Sequence, residues 1–428
     1  MKKKYIIFFI VTLVLLVALI TSFNYFKTTN AYIDDSVNNQ TKITKGISMN
    51  LEQTAGAGNY KTVTRSSWPT EGYKFNAELS RCENGSTLSW DDTKKAVIVS
   101  GNLSDKCYVY FDIYQPTLAE YIKSQYTGTQ GDNALYYHNS TLTNGAGDNS
   151  YRYAGANPNN FVCFGSDTSP CPTDNLYRII GVFGENYHGV TGKQLVKLIK
   201  YDYMTTDELG TDGDYSQTYK EWGMDSTYKG TYGDGERIGV YYWNYKATGS
   251  ATNTWSTSLL NKTNLNTNFI NNIGTTWANK IATVTWKVGG NTYANISDVV
   301  PATTYQNEIV NPVTTNTTDN ATTYSAKIGL MYVSDYGFAA SPDAWTLTMS
   351  SYNNTTAKNN NWMYMGLYEW TISRYADYSD GAFRVDHSGD VSGDGVSSHD
   401  GVRASFSLES SVSYVSGSGS MSDPIVIN

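Results

Sequence analysis

Charge is scarce in this chain. Asp, Glu, Lys and Arg make up 16% of its 428 residues, against roughly a quarter in an ordinary soluble domain. Positive charge is the scarcer sign, 31 Lys plus Arg against 39 Asp plus Glu for a formal net charge of −8. That excludes the broad basic footprint needed to hold a nucleic-acid backbone, and no nucleic acid is expected as a partner. Proline is limited to 9 residues and cysteine to 4, with none after Cys171. The four histidines, His138, His188, His387 and His399, are scattered, without H-x-x-x-H or two-His-one-carboxylate spacing. Neither a Ser/His/Asp set nor a facing pair of carboxylates can be assigned, so the sequence presents no catalytic constellation.

What is abundant is Tyr, 36 residues against 13 Phe, set among Asn, Thr, Ser and Gly. This composition suits extended strands joined by polar loops on a protein that works outside the cell. The length gives a prior of two to four folded units. Three lysines precede an uncharged run, Tyr5 to Phe23, that nearly spans a ~30 Å hydrocarbon core. Charge before the run and none just after it predicts a cytoplasmic stub and membrane anchor or signal over residues 1–23, with everything downstream outside. The expected partner of residues 5–23 is the cell membrane, in a single pass with a C-terminal ectodomain. Small residues around Thr29 and Ala31 leave the alternative of secretion after cleavage near Ala31. No Cys lies near the end of the run, which excludes lipid attachment there, and no second apolar span is seen, so any tether is N-terminal.

Four cysteines in an exported chain point to disulfides, for which three connectivities exist. Sequence proximity favours Cys82 with Cys107 and Cys163 with Cys171; free buried thiols are the alternative. After a polar stalk, 24–41, residues 42–115 carry short strands (ISMNLEQ, YKFNAELSRC, AVIVSG, CYVYFDIY) broken by turns, the pattern of a small all-β sandwich. Val97, Val99, Val109 and Phe111 alternate as one buried face would.

The pattern changes at Pro116, where Thr117 and Glu120 have capping-box spacing ahead of a helix. Strands are expected at Tyr177–Gly184, Lys193–Tyr201 and Glu236–Tyr245, a helix within Trp255–Ile273, and a hairpin from ATVTWKV to NTYANI through Gly289-Gly290. Apolar strands are also expected from IGLMYVSDYGFA, Ile328 to Ala339. The Thr/Asn tract Pro301–Tyr324 reads as disordered. Mixed order of this kind makes residues 116–428 an α+β domain.

In the last hundred residues, NNWMYMGLYEWTISR, GAFRVDHSGDV and GVRASFSL carry Glu369, Arg374, Arg384 and Arg403 among inward-facing apolar positions. Buried charges of both signs suggest structural ion pairs, foremost Glu369 with Arg403. The order Glu-Trp-Thr, a Gly- and Arg-bearing strand, then Gly-Val-Arg before an apolar strand resembles the C-type-lectin-like fold of the formylglycine-generating or sulfatase-modifying group. It also resembles uncharacterised bacterial surface proteins with FVCFGSD…CPTDNLYRIIGVFG and GVR-x-SF-x-L segments. The resemblance covers roughly Leu118 to Asn428 and implies a C-type-lectin-like domain whose loops display a ligand over a small sheet. Cysteine chemistry of the formylglycine-generating kind is not expected, since no Cys follows Cys171, and the Glu-Pro-Asn and Trp-Asn-Asp signatures of calcium-dependent lectins are absent.

DVSGDG places Asp390, Ser392 and Asp394 at positions one, three and five of a calcium loop, but position twelve is Gly401 instead of Glu. Asp390 and Asp394 are weak Ca2+ candidates, with a solvated turn as the alternative; no other cofactor is expected. The acidic run Asp202, Asp207, Glu208, Asp212 and Asp214 is a second hard-cation candidate or an acidic loop. Among the aromatic residues, Trp362 and Tyr364 fall in a cluster that includes both core and surface rings. The loop members Tyr352, Tyr375 and Tyr378 are the expected ligand contacts, since a rigid amphipathic ring gives contact area at low entropy cost. The expected function is a membrane-tethered extracellular ligand-binding or adhesion protein without catalytic activity, holding a glycan, peptide or surface protein. The alternatives are a structural surface subunit joined through sandwich edge strands, or an extracellular hydrolase with unassigned carboxylates.

Overall fold

The computed structural model describes residues 46–428 apart from 103, 185, 186, 188, 190, 219–228, 231–237 and 313–322. The apolar segment 5–23, the stalk 24–41 and the cleavage position at Ala31 lie outside the described residues. Among the described residues no helix is long and apolar enough to cross a membrane. The fold is mixed α+β and strand-rich, in two compact units, Met1–Gln115 and Pro116–Asn428.

The first unit holds a four-stranded sheet in the spatial order Tyr60–Val63, Ile47–Glu52, Cys107–Ile113, Tyr73–Cys82. Its middle pair runs parallel, with Met49 opposite Val109, and its outer pairs antiparallel. Thr87–Asp91 and Ala96–Ser100 form a separate hairpin. Cys107, Val109 and Phe111 point inward at the period of two that a strand imposes. Val109 and Phe111 join Met49, Leu51, Trp68 and Ala96 in one core, where the rings of Trp68, Phe75 and Trp90 lie between 5.7 and 6.0 Å from Phe111. Cys82 is bonded to Cys107 across adjacent strands.

The second unit opens as its sequence predicts: Thr117 and Glu120 close a capping box on the helix Leu118–Ser124. A seven-stranded sheet follows the path Ile328–Gly329, Ser405–Ser407, Leu195–Lys200, Leu176–Phe183, Tyr151–Tyr153, Leu135–Tyr137, with Phe161–Cys163 joined to Leu176–Phe183 off this path. A six-stranded sheet runs Tyr215–Thr218, Gly239–Tyr242, His399–Gly401, Glu369–Arg374, Gly381–Val385, Val391–Gly395. Every residue of Leu176–Phe183 is buried, as expected of an almost unbroken apolar run covered on both faces. That strand changes partner midway: Leu176–Arg178 pair with Phe161–Cys163, and Gly181 and Val182 with Tyr151 and Arg152. The register against Leu195–Lys200 shifts between Ile179 and Gly181, where a Cβ on Gly181 would sit 2.2 Å from the Tyr151 carbonyl oxygen. Only glycine permits that approach. Cys163 is bonded to Cys171.

Three local expectations are corrected. Val284–Lys287 pairs with Thr323–Ala326 and not with NTYANI. Gly289 and Gly290 serve close packing, since a Cβ on Gly290 would lie 1.8 Å from the Arg374 carbonyl oxygen. In Ile328–Ala339 only Ile328–Gly329 is a strand, and Val333–Ala339 is a helix whose entry Asp335 fixes by accepting the Tyr332 N–H at 3.0 Å. The Thr/Asn tract begins as ordered helix, Pro301–Tyr305 continuing into Gln306–Val310; its part over 313–322 lies outside the described residues. The expected helix in Trp255–Ile273 is present, with Leu265 and Phe269 buried, as a widened π-type helix over Leu260–Phe269.

Candidate functional site

Two of the three aromatic residues expected to meet a ligand belong to the core. Tyr352 is fully buried and donates its hydroxyl to the carbonyl oxygens of Gly337 at 2.9 Å and Ala344 at 3.2 Å. Its Ser and Asn neighbours suggested a loop, but the turn Met349–Ser351 tucks the ring inward. Tyr375 lies flat on two strands at glycines: a Cβ at Gly381 would fall 2.0 Å from the ring, and one at Gly393 1.8 Å from its hydroxyl. The strand glycines leave a slot that the ring fills. Tyr378 is exposed, at 56%.

The calcium-loop expectation meets a different local structure. Val391–Gly395 is an antiparallel strand against Gly381–Val385 and not a turn. Asp394 is bound by Arg384 Nη1 at 2.6 Å, while Asp390 accepts the Ser388 hydroxyl at 2.5 Å. In the acidic run, Thr205 and Glu208 close a capping box on a short helix, and Glu208 pairs with Lys200 at 3.1 Å. Asp214 accepts the backbone N–H groups of Tyr245, Leu259 and Leu260. Among the described residues, no three His, Cys, Asp or Glu side chains are grouped to hold a metal ion.

Glu369 and Arg403 form a bidentate pair, with Nε to Oε1 at 2.8 Å and Nη2 to Oε2 at 2.9 Å, and Nη2 also reaches the Met363 carbonyl oxygen at 2.7 Å. Both side chains are excluded from solvent. Planar fork geometry lets a guanidinium satisfy both carboxylate oxygens in such a site.

The most site-like feature is a cleft of about 650 Å3 in the second unit. Arg178 forms part of its lining. The Leu176–Phe183 strand places Arg178 opposite Phe161, so that its guanidinium carbon lies 4.4 Å from the Phe161 ring centroid and 4.6 Å from that of Trp362. Tyr201 meets Phe161 edge-on at 5.2 Å. Nε donates to Asn160 Oδ1 at 2.7 Å, Nη2 to the Pro158 carbonyl oxygen at 3.0 Å and Nη1 to that of Trp362 at 3.4 Å. These acceptors orient the fork without neutralising it. No carboxylate pairs with Arg178 among the described residues, and burial pushes the guanidinium down to about 9.

Lys229 adds a second cation, its Nζ 4.5 Å from the Tyr364 ring centroid and its backbone N–H donating to Met365. Burial and the charge of Lys358 lower its pKa, and Lys358 Nζ lies 5.8 Å from the same ring. The lining also includes the amides of Asn157, Asn159 and Asn359 but, among the described residues, no Asp or Glu. A second cleft of about 290 Å3 shares Asn157, Pro158 and Asn159 with the first and adds Tyr121, Gln125 and Asn133. Chemically, the arrangement provides fixed positive charge held against buried aromatic rings, and amides able to donate and accept at hydroxyl groups.

Arg178, Lys229 and Lys358 carried no functional signal in the sequence. The available sign was a single cation inside the apolar run LYRIIGVF, where alternation gives it no solvent face. No protein-family model, curated protein or solved structure was found to match the chain.

Proposed function

We propose that this chain is an exported binding protein whose second unit holds an acidic glycan in the cleft at Arg178. The observation that carries the reading is the guanidinium fixed between Phe161 and Trp362 without a carboxylate partner, in a chain whose net charge is −8. A carboxylate or phosphate on a sugar supplies the missing negative charge and accepts from the fork. The sugar hydroxyls meet the asparagine amides. Continuity with the second cleft supports a ligand longer than one residue. Two disulfides are consistent with an extracellular location, and a tether through residues 5–23 would hold the unit at the cell surface.

The test is titration of the full chain with a uronate-bearing polysaccharide and its neutral, carboxyl-reduced form. The reading expects saturable binding of the acidic form, weakened at least tenfold by reduction, by Lys229→Ala or by raised salt. Equal affinity for the two forms would overturn it.

A further inference from the structure

A second set of buried charges in the same unit takes no part in the cleft. Lys197, on the strand Leu195–Lys200, and Asp335, on the helix Val333–Ala339, have side chains 1% and 0% exposed, with Nζ 2.5 Å from Oδ2. Tyr187 touches both groups: Lys197 Nζ donates to its hydroxyl at 2.6 Å, and that hydroxyl donates to Asp335 Oδ1. The Tyr332 N–H donates to Oδ2 at 3.0 Å. Nζ is walled by the rings of Tyr332, Tyr187 and Trp286, with centroids at 4.4, 4.6 and 5.1 Å. The nearby Arg152 has its own partner, Asp148 at 2.7 Å, and stands 3.9 Å from Asp335.

We propose that Lys197 and Asp335 condense into an intramolecular isopeptide bond, with Tyr187 relaying the protons. The Lys197 ammonium passes one proton through the Tyr187 hydroxyl to Asp335 Oδ1, giving a neutral amine and a carboxylic acid. The Nζ lone pair attacks Asp335 Cγ, the Nζ–Cγ bond forms, and a second proton follows the same relay to Oδ1. The Cγ–Oδ1 bond then breaks and Oδ1 leaves as water. Ammonium plus carboxylate become amide plus one water, with no change of oxidation state. Oδ2 remains as the amide oxygen, still accepting from Tyr332.

Three features favour the step. The groups are held in contact by strand and helix, so reaction needs no encounter. Burial lowers Lys197 to about 8, which makes the neutral amine accessible near physiological pH, and raises the Tyr187 hydroxyl so that it stays protonated. Condensation also removes an ion pair from a dry site, where its desolvation is costly, and leaves Arg152 and Asp148 balanced.

Trypsin digestion of the natively folded full chain, followed by mass spectrometry, tests the bond. An acylated Lys197 is not a cleavage site. The expected product is therefore Gln194–Lys200 joined to Ile328–Lys358, lighter by one water than the two peptides together, and absent from Asp335→Ala. Recovery of Gln194–Lys197 and Leu198–Lys200 as separate peptides from the folded wild type would overturn the proposal. Tyr187→Phe keeps the ring and removes the relay, so linkage in newly made protein should slow by at least tenfold; linkage at the wild-type rate would overturn the assignment of Tyr187.

Discussion

Removing Arg403 while leaving Glu369 in place should be among the most damaging changes available in the second unit. Arg403→Met deletes two charge-assisted bonds to Glu369 and one to the Met363 carbonyl oxygen, in a site closed to solvent. Two unit charges about 4 Å apart attract by about 4 kcal/mol at an effective dielectric near 20, and the lost bond to Met363 adds about 1 to 2 kcal/mol. Proton uptake by the stranded carboxylate relieves part of this, so the expected loss is about 3 to 5 kcal/mol. Replacing both partners, as Arg403→Met with Glu369→Leu, should recover most of it, because no charge is then left buried. Eight of the ten tryptophans lie beyond Pro116, so urea unfolding followed by tryptophan fluorescence reports mainly on this unit. Burial already raises the Glu369 carboxyl above its usual value. In the single variant its folded-state pKa rises further above the unfolded one, so stability is retained below the unfolded pKa and lost as pH rises through the folded pKa. The deficit should therefore be smaller at about pH 5 than at about pH 8. A single variant within about 1 kcal/mol of wild type, or a double variant no more stable than the single, would refute the reasoning.

Other predictions follow from the same geometry. Tyr375→Ala should cost about 3 to 5 kcal/mol, because it empties a slot between strands, whereas Tyr378→Ala should stay within about 0.5 kcal/mol; calorimetry on the two variants separates a core ring from a surface ring. Asp400 shares Arg384 with Asp394, and burial pushes it up to about 7. Its contribution to stability therefore falls as pH rises from the ordinary carboxylate range to about 7, and Asp400→Asn should flatten the stability profile over that window; an unchanged slope would remove Asp400 as its source. Trp362→Ala should abolish binding of an acidic glycan at the cleft and expose Arg178 to water; unaltered affinity in a folded variant would place the ligand elsewhere.

Local signals in the sequence reported local structure well. The Thr117 capping box, four of the six strands described in the first unit and both neighbouring cysteine pairs depend on residues close together in the chain or on simple period-two alternation, whereas Tyr60–Val63 and Thr87–Asp91 were not read. The Glu369–Arg403 pair was legible for another reason, since in so neutral a chain opposite charges at apolar positions have few ways to be satisfied. The cleft was not legible, because Arg178 receives Phe161 from 17 residues before it and Trp362 from 184 residues after it. Composition misled at Tyr352 and Tyr375. Ser, Asn and Gly neighbours are typical of recognition loops, but here glycine makes room for a ring and a short turn folds another inward. Asp335 shares one overlooked sign with Arg178, a single charge within an apolar run in a position where regular structure denies it water, whereas Lys197 lies among lysines in the strand LVKLIK.

The edges of the second unit set the order in which the protein can mature. Pro116 and Leu118, at its start, are hydrogen-bonded to Tyr414 and Val412, near its end. Its larger sheet places Ser405–Ser407 between Ile328–Gly329 and Leu195–Lys200. A chain that emerges N-terminus first can close the sheet of Ile47–Ile113 early, since all its strands lie within that stretch. The larger sheet must wait until the residues beyond Ser405 have been delivered. For the whole of that interval Leu195–Lys200 lacks its neighbour Ser405–Ser407 and presents an unpaired edge to any other chain nearby. The rate of chain delivery and the supply of chaperones, more than the strength of the finished core, should then govern how much intact protein a cell obtains.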